Sequence, residues 1–128
     1  YIEQLRMIQR IITTIAETCD KRRNAARDAG MIYLAMGIVR PEREIEGKKV
    51  PPEIKINGNR KIVPPIINQR TIEEIKPHYP EEIAQMYGIT RQNVKRVIDL
   101  VVEAMPISLP TQIHQIGEVD LRKKRSSS

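Results

Sequence analysis

Residues 80–100, PEEIAQMYGITRQNVKRVIDL, predict two short helices joined by a tight turn. Pro80 suits the first position of a helix, where a backbone N–H has no intrahelical partner. Glu81 and Glu82 would then lie favourably at the positive end of the helix dipole. Gly88 predicts the end of this helix, because the left-handed backbone that closes many helices is costly for a residue with a Cβ atom.

The second helix is predicted to begin after Thr90, whose hydroxyl can accept a backbone N–H from the next turn. Apolar residues then recur at helical spacing, at Val94, Val97, Ile98 and Val101. A second helix is therefore expected from about residue 91 to about residue 104. Together the two helices have the register of a helix-turn-helix.

With its apolar positions buried, the second helix would present a polar and basic surface to a partner. The candidate binding residues are Thr90, Arg91, Gln92, Asn93, Lys95 and Arg96. By residue type, Arg91 suits guanine O6 and N7, and Gln92 suits adenine. Lys95 or Arg96 would contact phosphates.

The stretch EEIAQMYGITRQNVKRVI resembles the helix-turn-helix superfamily of DNA-binding domains. Within it, the stretch is most similar to the C-terminal promoter-reading region of sigma factors and to related phage and plasmid regulators. The resemblance covers roughly 25 residues and implies that the second helix enters the major groove. The other residues of the chain point to no named family.

Composition limits the kinds of partner. Lys and Arg number 22 against 16 Asp and Glu, which gives a net charge of +6 and favours polyanionic partners. The chain has no Phe or Trp and only four Tyr, which argues against an RNA-recognition or oligonucleotide-barrel module that stacks single-stranded bases on aromatic rings. Duplex DNA is the better match.

The single cysteine, Cys19, excludes an intramolecular disulfide, and no apolar run reaches the roughly 20 residues that span a bilayer. A cytoplasmic, nucleoid-associated protein without membrane contact is expected.

Residues 1–40 predict a helical scaffold. One long helix is expected over residues 1–29, with an apolar seam at Leu5, Ile8, Ile12, Ile15 and Cys19. The seam packs either within this chain or against a second copy. Packing against a second copy would make a homo-oligomer, and among homo-oligomers a dimer is favoured. Gly30 is expected to end the helix, and residues 31–39, MIYLAMGIV, to form a buried helical segment.

A basic cluster follows the seam, at Lys21, Arg22, Arg23 and Arg27. One interpretation is a solvated helix face balanced by Asp20 and Asp28. The other is a phosphate-contacting face.

Prolines bracket residues 41–65, and Asn57-Gly58 between short β-branched runs predicts a small β-hairpin there. Lys55, Arg60 and Lys61 would lie on its solvent side. They are either solubilising residues or phosphate contacts of a wing.

Residues 66–105 are expected to hold a three-helix unit. Its first helix is predicted over residues 66–76, with Ile72 and Ile75 facing inward and Pro77 closing it. Residues 106–128 predict an extended arm and a basic tail. The tail offers further candidate phosphate contacts at Arg122, Lys123, Lys124 and Arg125.

No catalytic, cofactor or metal site is predicted. His78 and His114 are far apart in sequence and have no metal-type spacing with Cys19. The chain has no glycine-rich phosphate loop and no nucleophile elbow. The acidic pairs near residues 73 and 81 are explained by helix dipoles. A non-enzymatic protein is expected.

The sequence therefore predicts a mostly α-helical protein with a small β-hairpin and a C-terminal helix-turn-helix unit. The expected function is sequence-specific binding of double-stranded DNA, as a transcriptional or replication regulator of phage or plasmid type. The alternative is an assembly protein, such as a small-terminase-like DNA-packaging recognition subunit, or a protein that docks onto RNA polymerase.

Overall fold

The computed structural model describes residues 2–106 and is mostly helical, with one small antiparallel hairpin, as predicted. The elements of this part are α1 (Ile2–Cys19), α2 (Ala25–Met36), β1 (Arg43–Ile45), β2 (Lys48–Val50), α3 (Gln69–Glu73), α4 (Pro80–Tyr87) and α5 (Arg91–Ala104). The predicted arm beyond residue 106, with Arg122, Lys123, Lys124 and Arg125, lies outside the described residues.

The predicted single helix over residues 1–29 is wrong, because the chain turns between α1 and α2. Arg22 N–H donates to Cys19 O at 2.9 Å in this turn. The turn folds α2 back onto α1, so that residues 29–36 are all buried. A continuous helix would leave much of this apolar run in water, at a cost of about 25 cal/mol per Å².

The apolar seam of α1 is buried within the chain. Ile8, Ile12, Ile15 and Cys19 are at most 2% exposed, Leu5 is half-buried against the core, and α1 packs against both α2 and α5. The Tyr33 hydroxyl, also buried, donates to Ile12 O at 2.9 Å and ties α2 to α1. This contact gives the seam an intramolecular partner.

The two-stranded hairpin lies earlier in the chain than predicted. Strand β1 pairs with β2, and the turn between them has positive φ at Glu46 (51°) and Gly47 (80°). Around Asn57-Gly58, the expected turn, only one bridge forms, between Ile56 and Ile62. The Asn57 side chain closes that loop by accepting N–H groups of residues 59 and 61.

Two backbone N–H groups in residues 62–67 donate to side chains of α1 and of the turn that follows it. Ile62 N–H donates to Asp20 Oδ1 at 2.8 Å, and Ile67 N–H donates to Gln9 Oε1 at 2.9 Å. The same Gln9 amide donates to Pro65 O at 3.0 Å. These bonds satisfy buried backbone groups that a strand ladder would otherwise need to satisfy.

The helix predicted over residues 66–76 is much shorter, because α3 spans only five residues. Asn68 caps its start: the Asn68 side chain accepts the Thr71 N–H, and the Thr71 hydroxyl accepts the Asn68 N–H. Asn68 has an extended backbone, with φ of −136° and ψ of −175°, so the helix cannot begin earlier. As predicted, Ile72 and Ile75 pack against the core, although both are only partly buried.

Gly30 lies in the middle of α2 and does not end it; α2 ends at Gly37, which has φ of 81°. A Cβ atom at Gly30 would overlap the Tyr87 hydroxyl from α4. That hydroxyl is buried and has no hydrogen-bond partner among residues 2–106. Burial raises the pKa of Tyr87 to about 12. Glycine at position 30 thus makes room for a tyrosine.

We expect Gly30→Ala to destabilise the protein by about 1 kcal/mol, because overpacking of 1–3 kcal/mol outweighs the roughly 1 kcal/mol that alanine gains in a helix interior. In the Tyr87→Phe background the same change should stabilise, since no hydroxyl remains in the way. Tyr87→Phe alone should be neutral or stabilising, because it removes an unsatisfied buried group. Urea unfolding of the wild type, the two single variants and the double variant measures these differences in stability. Equal effects of Gly30→Ala in both backgrounds would contradict the predicted clash with the Tyr87 hydroxyl.

Candidate nucleic-acid interface

Helices α4 and α5 have the bounds expected from sequence and meet at a left-handed glycine. Pro80 is the first residue of α4, and Gly88 follows the helix with φ of 66°. Ile89 N–H then donates to Ala84 O at 3.1 Å, which closes the end of α4. The Thr90 hydroxyl accepts the Asn93 N–H at 3.1 Å and caps α5.

One face of α5 is anchored in the core. Val94, Val97, Ile98 and Val101 are at most 4% exposed, and α5 packs against α1, α2 and α4. On the facing side, Ile83 and the small Ala84 are also buried. The orientation of α5 is therefore set by contacts with three helices.

The six predicted binding residues lie together, at the cap and within the first two turns of α5. Thr90, Arg91, Gln92 and Arg96 are exposed, and Asn93 and Lys95 are half-buried. A contact that sequence reasoning missed joins two of them: Arg96 Nη2 donates to Asn93 Oδ1 at 2.6 Å. Their separation of three residues on a helix is the signal that could have indicated it.

Lys55, Arg60 and Lys61 are exposed, on or beside the loop closed by Asn57. This loop is tied to the end of α1 through Asp20. The next residue, Lys21, lines a groove with Ala104, at the C-terminal end of α5. Within residues 2–106, no hydrogen bond or ion pair joins these three side chains to residues 90–96.

The basic cluster after α1 is partly an internal ion-pair network. Arg22 Nε lies 2.7 Å from Asp28 Oδ2, and Arg27 Nη2 lies 3.1 Å from Asp28 Oδ1. The Asp28 side chain is 2% exposed. Lys21 and Arg23 are exposed. Arg22 and Arg27 therefore neutralise a buried carboxylate.

A groove of about 520 Å³ lies between the hairpin and the chain before α4, and sequence reasoning did not find it. It is lined by four cations: Arg40, Arg43, Lys49 and Lys76. Three of them pair with glutamates: Arg40 with Glu74, Arg43 with Glu42, and Lys49 with Glu82. The carboxylates nearly balance the cations, so the groove is a weak candidate for binding anions.

Glu82 joins the hairpin to α4. It binds Lys49 Nζ at 2.9 Å and His78 Nδ1 at 3.0 Å. Hydrogen bonds from Lys49 and then from His78 lower the pKa of Glu82. His78, which is 6% exposed, also donates its backbone N–H to Leu34 O at 2.9 Å. His78 thus links the last turn of α2 to Glu82 of α4.

Among residues 2–106, no group of three or more His, Cys, Asp or Glu side chains is placed to hold a metal ion. Cys19 is buried, and desolvation raises the pKa of its thiol to about 12, which disfavours a reactive thiolate. His114 lies outside the described residues. Within the described range, no helix has the length and apolar character needed to cross a bilayer.

Comparisons of the chain with protein-family models, with curated proteins and with solved structures find no match.

Proposed function

We propose that this protein binds duplex DNA through a helix-turn-helix made of α4 and α5, with the first two turns of α5 in the major groove. It acts as a transcriptional or replication regulator associated with the nucleoid. A homodimer is the expected form, since one short helix reads only a few base pairs. Because the α1 seam is buried within the chain, the dimer uses another surface.

The observation that carries this proposal is the division of α5 into two faces. Its apolar residues are buried against three helices, whereas Arg91, Gln92 and Arg96 are exposed at its capped N-terminal end. These three side chains make no contribution to the apolar core. Arg and Gln are residue types that pair with base edges, and an anchored, capped helix presents them in a defined orientation.

The test is selection of bound sequences from a random duplex pool, followed by affinity measurements on the selected duplex. We expect Arg91→Ala with Arg96→Ala to weaken binding about 10- to 1,000-fold, because each base contact contributes about 1–3 kcal/mol and each phosphate contact also adds to affinity. The matched control is Lys21→Ala with Arg23→Ala. This pair removes the same charge from exposed residues, and Lys21 shares a groove with Ala104 at the opposite end of α5.

A selected motif that the α5 variant loses and the control keeps would support the proposal. No enrichment by the wild-type protein, or equal losses in both variants, would contradict it. The assembly or polymerase-docking hypothesis would then take precedence. Light scattering on the same samples gives the oligomeric state, and a ring larger than a dimer would favour DNA packaging.

A further inference from the structure

We infer that Arg96, held by Asn93, is the residue that selects guanine, and that Arg91 contacts the DNA backbone. This inference rests on the proposed function and assigns the two arginines the opposite roles to those expected from residue type alone. Three features carry it: the direction in which each side chain leaves α5, the Asn93 contact, and the negative charge farther along the helix.

The direction of each residue follows from helix geometry. The four buried residues of α5 define its inner face: Val94, Val97, Ile98 and Val101. At about 100° per residue, Gln92 and Arg96 point within about 30° of the outward direction, which is opposite the inner face. Arg91 points about 110° away from that outward direction. Gln92 and Arg96 therefore lie at the centre of the outer face, which would point to the floor of the groove. Arg91 lies toward its side, where the phosphates would be.

The contact with Asn93 restricts the Arg96 guanidinium. Arg96 Nη2 donates to Asn93 Oδ1 at 2.6 Å, and Asn93 is itself half-buried. A guanidinium has five N–H groups, so this bond leaves donors free for guanine O6 and N7. Fixing the side chain before binding lowers the entropy lost on forming a two-bond contact.

Arg91 has no comparable restraint. It is the first residue of α5, it is exposed, and its side chain makes no hydrogen bond or ion pair with another of the described residues. A flexible cation of this kind suits a phosphate, which accepts contacts from many directions.

A carboxylate limits how far along α5 the DNA can lie. Glu103 follows Arg96 on the outer face of the helix and is exposed. Its negative charge would repel phosphates, which favours a duplex placed against the first two turns of α5. Gln92 and Arg96 are the outward-pointing residues of these two turns.

The experiment is selection from a random duplex pool with the wild-type protein and with Arg96→Lys, Asn93→Ala and Arg91→Ala. Arg96→Lys keeps the positive charge but loses the planar guanidinium, whose N–H groups can bind two acceptors at once. We expect it to lower the preference for guanine at one motif position by roughly tenfold or more, since a bidentate contact provides that discrimination. Asn93→Ala should weaken the same position to a smaller degree. Arg91→Ala should lower affinity and leave the motif unchanged.

Asn93→Asp provides a rescue, because it restores an acceptor for Arg96: the guanine preference should return, with lower affinity from the added negative charge. Thermal unfolding of each variant checks that it is folded. If Asn93→Ala does not fold, the motifs selected by Arg96→Lys and by Arg91→Ala still show which arginine selects guanine. Loss of the guanine in Arg91→Ala, or an unchanged motif in Arg96→Lys, would overturn this inference and leave DNA binding intact. Absence of any motif in the wild-type selection would overturn the proposed function itself.

Discussion

Gly37→Ala is expected to cost about 2–5 kcal/mol of unfolding free energy, from left-handed strain of 1–2 kcal/mol plus overpacking of 1–3 kcal/mol. Gly37 has φ of 81°, and its added Cβ would lie 2.8 Å from the backbone nitrogens of both Lys76 and Pro77. That segment cannot easily retreat, because His78 N–H is bonded to Leu34 O in the last turn of α2. The variant should therefore lose stability through both strain and collision.

The matched control for this prediction is Gly88→Ala. Gly88 also has a left-handed backbone, with φ of 66°, but an added Cβ there would meet no atom within 4 Å. We expect only the strain of about 1–2 kcal/mol. Thermal unfolding of the two variants beside the wild type measures the difference, which is the contribution of the collision. Equal losses for Gly37→Ala and Gly88→Ala would show that the chain at residues 75–77 yields easily.

The second large effect is expected at Asp28, whose buried carboxylate is paired with Arg22 and Arg27. Either arginine alone can still neutralise it, so Arg22→Ala and Arg27→Ala should each be mild. The double variant leaves a buried charge without either partner. We expect it to cost about 3–5 kcal/mol, more than the two single losses added together. Both arginines are about one-third exposed or less, at 29% and 33%, and this places the cost toward the lower end.

Asp28→Asn distinguishes a buried charge from lost packing. In the wild-type protein it should destabilise, because two arginines lose their counter-charge. In the Arg22→Ala, Arg27→Ala background it should restore part of the stability, because the unpaired charge is removed. Urea unfolding at neutral pH gives both values. A loss in both backgrounds would mean that the two arginines act through packing of their side-chain stems.

Arg70→Ala is a useful reference for that series. Arg70 pairs with Glu74 at 3.0 Å, but the two side chains are 84% and 44% exposed. Exposed pairs gain little because water screens the charges. We expect almost no change in stability, in contrast to the double variant at Arg22 and Arg27.

The elements that could be predicted from sequence are those whose signals are local. Helix α4 begins at Pro80 and ends before Gly88, and α5 begins after Thr90, because each boundary depends on a residue's own backbone preference or on a cap three residues away. The outward set on α5 followed from the same periodicity, since the buried positions define the exposed ones.

Predictions failed where a distant group decided the structure. Asn57-Gly58 is a strong local hairpin signal, yet Asp20 and Gln9 of the α1 region take up the backbone donors of residues 62 and 67, and the long ladder does not form. Gly30 suggested a helix end, but its lack of a side chain accommodates Tyr87, 57 residues later. The Asn93 contact to Arg96 depends on rotamers, which periodicity does not specify.

By itself, the sequence determined the helical character of the protein, the α4 and α5 boundaries, and which side chains of α5 face the core. These follow from steric and hydrogen-bonding preferences within a few residues. Only the tertiary structure decided that α1 and α2 are separate, that the α1 seam is satisfied within the chain, and that the loop closed by Asn57 is tied to Asp20. Each of these depends on burying apolar area and satisfying backbone groups between segments far apart in sequence, which no local pattern encodes.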